Sequence, residues 1–172
     1  MLRWIKQLWK RFESDKLERE RWEAQRQRIA QTSVVQAREE ALRVLQDEGV
    51  FRLVPASGMR DTQLLAQLPE DVRELATQYD RVDLVGTEDP WRGADGLDFS
   101  KIGPTELREG YWRIGRLAPD TDLYTEIAVR PGGPGVYELY WTLGEPQWHP
   151  SVYHWLLQMY WMERTSQDVE EH

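Results

Sequence analysis

The stretch QWHPSVYH places His149 and His154 five residues apart, with Pro150 and a helix start between them. Two imidazoles and a carboxylate can hold a divalent metal. A helical pair of ligands needs a spacing of four, and no third ligand is fixed by the sequence, so these are expected to be ordinary capping or interface histidines. Asp89, Asp95 and Asp98, interleaved with Gly93 and Gly96, have the composition of a calcium loop. They miss its alternating ligand positions and its terminal glutamate, which leaves turn and solvation roles. Glu126 and Glu138 fall on neighbouring predicted strands and could face each other. Facing carboxylates do acid–base work only when burial separates their pKa values, and outward-pointing strand carboxylates are the commoner case. Ser14, Ser33, Ser57, Ser100, Ser151 and Ser166 show no nucleophile-elbow context, and PGGPG lacks the lysine and following helix of a phosphate loop. The chain has no cysteine, which excludes disulfides, thiol catalysis and thiolate metal sites. No catalytic residue, metal or cofactor is expected, and the chain is read as a non-enzyme.

The aromatic residues are the stronger signal. Of nine tryptophans and seven tyrosines, ten lie from Trp112 onward, and large aromatics anchor interfaces as well as cores. In VYELYWTL, strand alternation groups Tyr137, Leu139 and Trp141 on one face, taken as the inner one, and Glu138 and Tyr140 on the other. Trp91 lies in a long loop and Trp148 just before the closing helix. The expected partner-binding surface comprises Trp91, Asp95, Asp98, Glu138, Tyr140 and Trp148, an acidic aromatic patch suited to a basic partner.

The elements that must position these residues follow from periodicity and punctuation. TSVVQAREEALRVLQDEGV carries the helical stripe Val34, Val35, Ala37, Ala41, Leu42 and Leu45, with Thr32 or Ser33 as cap and Gly49 just past its end. VFRLVPASG is a short strand and turn. LPEDVRELATQYD is a helix with Pro69 at its first position, Glu70 and Asp71 at the positive end of the dipole, and a stripe of Val72, Leu75, Ala76 and Tyr79. RVDLVG is a strand, and TEDPWRGADGLDFSKIGPTELREG is a long loop. YWRIGRL, LYTEIAVR and VYELYWTL are strands joined by tight turns, hence an antiparallel meander. SVYHWLLQMYWMERT is a helix with hardly any polar face, as deep burial or a shared interface requires, and the tail SQDVEEH is expected to fray. The order describes an α+β domain: a mostly antiparallel sheet with packed helices, preceded by a long N-terminal helical arm.

That arm begins with MLRWIKQLWKRF. On a helix, Met1, Ile5, Leu8 and Phe12 share a face, flanked by Leu2, Trp4 and Trp9, while Arg3, Lys6, Lys10 and Arg11 take the other. Indoles at headgroup depth and cations on anionic lipid would suit a membrane surface, and the same anchors would fill a partner's groove. The segment is too short and too charged to span a bilayer, and it lacks the apolar core of a signal peptide. Residues 13–48 form a charged helical arm whose first part, ESDKLERERWEAQRQRIAQ, is too sparse in apolar residues to bury a continuous face. Residues 1–31 hold nine Lys/Arg against five Asp/Glu, whereas the whole chain has a net charge of -8. A basic end on an acidic body disfavours nucleic acid as a target.

LPEDVRELATQYD resembles the helix that opens the sheet domain of the SUKH superfamily. REGYWRIGRLAPDTDLYTEIAVRPGGPGVYEL resembles its central hairpins, and SVYHWLL its closing helix. The resemblance covers about residues 50–165. It departs where the family often carries a glycine pair and this chain has QYDRVDLVG, and the first 48 residues have no family counterpart. What it implies is a non-enzymatic binding domain, of the kind found in toxin-immunity proteins, with no catalytic residues to carry over. The expected function is a protein-binding module, an immunity protein or adaptor, whose partner is a toxin or an assembly component. It would be cytoplasmic, with residues 1–12 docking at the inner face of a membrane or in a partner groove. The alternative is a structural assembly protein that homo-oligomerises through residues 1–48. If the membrane is the target, the intact chain floats with anionic liposomes and a chain lacking residues 1–12 sinks; equal flotation of both removes the membrane reading.

Overall fold

The structure is a computed structural model that describes residues 16–90, 93–118, 123–142 and 144–170. The amphipathic segment 1–12 and Trp91 lie outside the described residues. Helix α1 (Lys16–Gln31) gives way to α2 (Val34–Val44) at Ser33. The Ser33 hydroxyl accepts from the Gln36 N–H while the Gln36 side chain accepts from the Ser33 N–H, a reciprocal capping box. The break is therefore written into the chain as a start signal. The packed stripe of this helix region is Ala37, Ala41, Val44 and Leu45. Val34 and Val35, expected on it, stand in the first turn at 47% and 67% exposure. The helix ends before the predicted cap, and Gly49 belongs to the turn into the sheet, where its N–H donates to Asp47 Oδ1 (3.1 Å).

There follow β1 (Phe51–Pro55), α3 (Thr62–Ala66), α4 (Glu70–Gln78), β2 (Tyr79–Leu84), β3 (Gly96–Asp98), a 3-10 turn (Phe99–Lys101) and β4 (Gly103–Pro104). The chain continues through β5 (Trp112–Leu117), β6 (Thr125–Val129), β7 (Val136–Tyr140) and β8 (Gln147–His149) to α5 (Val152–Glu170). Among the described residues the strands form one eight-stranded sheet in the order β1-β2-β3-β5-β6-β7-β8, with β4 on β5, and every pairing is antiparallel. This is the α+β fold expected. Pro69 sits one position earlier than predicted, as the N-cap of α4, and α5 runs to Glu170 without stopping at the expected frayed tail. The strands β3 and β8 and the helix α3 are additions that the periodicity did not reveal.

One face of the sheet carries Phe51, Val82, Leu84, Leu97, Ile127, Val129 and Val136 into the main core. α5 belongs to the same core: every residue from Val152 to Met159 is buried. It is covered by α1, α2, α4 and β8. The sparse apolar residues of the arm take part, since Ile29 is buried in this core. A helix buried on all sides must also satisfy its polar atoms. Val152 N–H donates to Asp71 Oδ2 (2.5 Å), so α4 caps α5 from outside. Trp155 Nε1–H donates to Glu138 Oε1 (3.3 Å), and the Tyr153 hydroxyl donates to Glu74, which also holds Arg38. His154 Nε2–H donates to Thr32 O (2.8 Å), a carbonyl just past α1, while Ser151 Oγ–H donates to Nδ1 (2.6 Å). The Thr32 carbonyl requires the proton to sit on Nε2.

Two glycines let the central strands close. A Cβ on Gly96 (φ +136°) would stand 2.1 Å from Val82 O, and one on Gly115 would stand 2.4 Å from Gly96 O. Gly96→Ala therefore combines a strained backbone with a backbone clash, and it is expected to lower stability by about 2 kcal/mol or more in urea unfolding. His154 gives a second test. Burial lowers its pKa below the ordinary 6.5, with the charge of His149 adding to the effect. The unfolded chain then takes up this proton first, so the contribution is full above pH ~6.5 and is lost as pH falls from there toward the folded value. Urea midpoints at pH ~7.5 and ~5.5 should differ in that sense, and His154→Gln should narrow the gap.

Candidate functional site

Residues that could act lie at two places on the sheet. The first is the β7–β8 end. On β7, Val136, Glu138 and Tyr140 take the face toward α5, while Tyr137 and Leu139 join Tyr111 and Ala128 in a small second core on the opposite face. Glu138 is only 5% exposed, so it is not the surface residue expected; the phase of the strand is shifted by one residue from that expectation. The register sets Ile127 opposite Glu138 and Leu139 opposite Glu126, which puts the two glutamates on opposite faces of the sheet. They cannot share acid–base work.

Glu138 is instead the acceptor at the centre of a buried network. Oε1 accepts from Trp155, and Oε2 faces His149 Nε2 (3.3 Å) and the Tyr140 hydroxyl (3.3 Å). With its amide turned so that nitrogen meets acceptors, Gln147 donates to Glu138 Oε2 (3.0 Å) and Tyr140 Oη (2.9 Å), and its oxygen accepts from Arg26 (2.6 Å). Burial and the Glu138 charge both raise the pKa of Tyr140, keeping the phenol protonated as a donor. Beyond this network the hairpin is open. Tyr140 is 37% exposed, Trp141 66% and Trp148 52%. Trp141, grouped with the inner residues in the sequence, projects outward just past the end of β7. The Trp148 indole lies against Gly135 (φ +78°), where a Cβ would come within 2.3 Å of Nε1.

The second place is the sheet face away from α5. The register lines up Asp83, Gly96 and Arg116 in one row and Arg81 with Asp98 in the next. Asp83, 2% exposed, binds Arg52 (3.1 Å) and Arg81 (3.4 Å). Further along, buried Glu126 accepts from Arg113 (3.3 Å), from the Tyr124 hydroxyl (2.7 Å) and from Thr105. Burial and Glu126 push Tyr124 up to about 12. Between these clusters lies a cavity of about 420 Å³, whose charged lining is Arg81, Arg113, Arg116, Lys101, Asp83 and Asp98. Gly96 and Gly115 contribute bare backbone to it.

The remaining predicted site residues fall as follows. Asp95 is 3% exposed and is not on a binding surface. Its Oδ2 accepts from the N–H of Ala118 (3.1 Å), a residue held at φ +55°, and its own N–H donates to Thr87 Oγ1 (2.9 Å). Burial raises its pKa. Asp98, half-buried, caps the 3-10 turn by accepting from Ser100 N–H (3.1 Å). Tyr140 and Trp148 are exposed on the hairpin, apart from Asp98, so the acidic aromatic patch does not assemble as a single surface. His149 and His154 serve the interior, and no three metal-ligating side chains converge among the described residues. The cationic cavity went unnoticed in the sequence. Its signal was the alternation of Arg81 with Asp83; Arg113 and Arg116, three apart, share a face only through the bulge between Arg113 and Gly115, which the sequence did not reveal.

Replacing Glu138 separates a buried acceptor from a surface carboxylate. Glu138→Ala strands the Trp155, His149 and Gln147 donors and is expected to lower stability by about 2–4 kcal/mol in urea unfolding. A change within about 0.5 kcal/mol would mean that the carboxylate is solvated.

Set against known proteins, the chain matches no family model, no curated protein and no solved structure.

Proposed function

We propose that the chain is a non-enzymatic protein-binding module of the immunity or adaptor type, in line with the SUKH resemblance, and that it grips a protein partner through the β7–β8 hairpin. What supports this reading is the placement of apolar surface. Six large apolar side chains are markedly exposed among the described residues, and Tyr140, Trp141 and Trp148 are three of them. Tyr140 is held by the buried Glu138 network and the Trp148 indole lies against Gly135, and large aromatic side chains ordered in this way bury much area on binding for little lost entropy. Residues 1–12, by their sequence, would provide a second attachment to a membrane surface or a partner groove.

The test is capture of partners from the native cell by the immobilised full chain, compared with a Trp141→Ala/Trp148→Ala variant. Interface tryptophans of this kind are worth about 2 kcal/mol or more each, so captured partners should fall by more than about tenfold. Both side chains are more than half exposed, so the variant is expected to remain folded. Equal capture by the two chains would remove the hairpin from the interface.

A further inference from the structure

The cavity between β2, β3 and β5 is electrostatically unfinished. Its lining has four cations and two carboxylates, in a protein whose net charge is -8. Neither carboxylate is spare. Asp83 already serves Arg52 and Arg81, and Asp98 is engaged by Ser100. Arg113 shares Glu126 with two hydroxyl donors. Arg116, half-buried, and Lys101 form no ion pair with any described residue. Asp95, buried behind the strand, has its pKa raised by burial, an effect that the charge of Arg116 opposes.

Positive charge is thus concentrated where the surface is concave and where, among the described residues, glycine backbone forms part of the lining. At Gly96 and Gly115 a Cβ would strike backbone, which keeps the floor open. A volume of about 420 Å³ lies within the ordinary range for small-molecule sites and exceeds what a bare inorganic ion needs. Guanidinium groups bind planar or tetrahedral oxyanions through paired N–H donors, and an ammonium adds a point charge.

We propose that this cavity binds a small organic dianion, a phosphate monoester or a dicarboxylate, with Arg116 and Lys101 as its direct charge partners and Arg81 and Arg113 at the rim.

The experiment is isothermal titration calorimetry of the full chain at low ionic strength, about 20 mM, where surface charge is least screened. The probes are glycerol 3-phosphate and succinate, with acetate and chloride as monovalent controls. At least one dianion is expected to bind with a Kd below about 1 mM and at least tenfold tighter than acetate. A phosphate-only or succinate-only response identifies which oxyanion the site takes. Arg116→Gln and, separately, the exposed Lys101→Gln should each weaken that binding about tenfold. The proposal is overturned if neither dianion binds more tightly than acetate, or if the folded Lys101→Gln chain binds as the parent does. Neither result bears on the hairpin tryptophans, so failure here is distinguishable from failure of the protein-binding reading.

Discussion

The fold is organised by the need to cover α5 on every side. From Val152 to Met159 every residue is buried, so no side of this stretch of the helix is left to solvent. The hydrophobic stabilisation is large, since Trp155, Tyr153, Leu156 and Leu157 are all essentially inaccessible. It becomes available only if the helix's polar atoms also find partners. Asp71 reaches in from α4, Glu74 takes the Tyr153 hydroxyl, Glu138 rises from the sheet to Trp155, and Thr32 offers the carbonyl left over at the end of α1. Two of these groups come from α4, one from the sheet and one from the junction that follows α1. The junction at Ser33 is placed by the same demand, because breaking the arm there presents Thr32 O to His154 and turns Ala37 and Ala41 onto the core.

Concentrating the apolar surface on one face of the sheet determines the other face. Strand alternation sends Arg52, Arg81, Asp83, Asp98, Arg116 and Glu126 to the side that α5 does not cover. There the charges pair across strands, with Arg52 against Asp83 and Arg113 against Glu126. The pairing is incomplete at β3, where glycine occupies the position between Asp83 and Arg116. An asymmetry that begins as packing therefore ends as an uneven electrostatic surface.

Much of the fold was legible in the sequence, and the exceptions share a cause. The helices at Val34–Val44, Glu70–Gln78 and Val152–Glu170 and the strands β1, β2, β5, β6 and β7 are long enough for periodicity to speak. β3 and β8 have three residues each, shorter than two full alternations, and β3 begins with a glycine that argues locally for a loop. That one omission turned Asp95, at the entry to β3, from an interior residue into an imagined surface one. Glu138 was misplaced for a different reason. VYELY has bulky residues at every position but one, so composition could not choose the inner face, and the glutamate taken as the outward marker was in fact the acceptor that Trp155 and His149 require. The exposed Tyr140 and Trp148 were legible as candidates; the cavity was not, because it is made by cross-strand register and by side chains that are missing.

The sheet follows chain order, each strand lying beside its predecessor apart from the short side branch of β4, and this has a consequence for biogenesis. Pairings between near neighbours close small loops, so strands can zip together as they leave the ribosome. The element that seals them, α5, is synthesised after every strand. Until it docks, the nascent chain carries a formed sheet with its oily side bare, the state in which chaperones bind and aggregates nucleate.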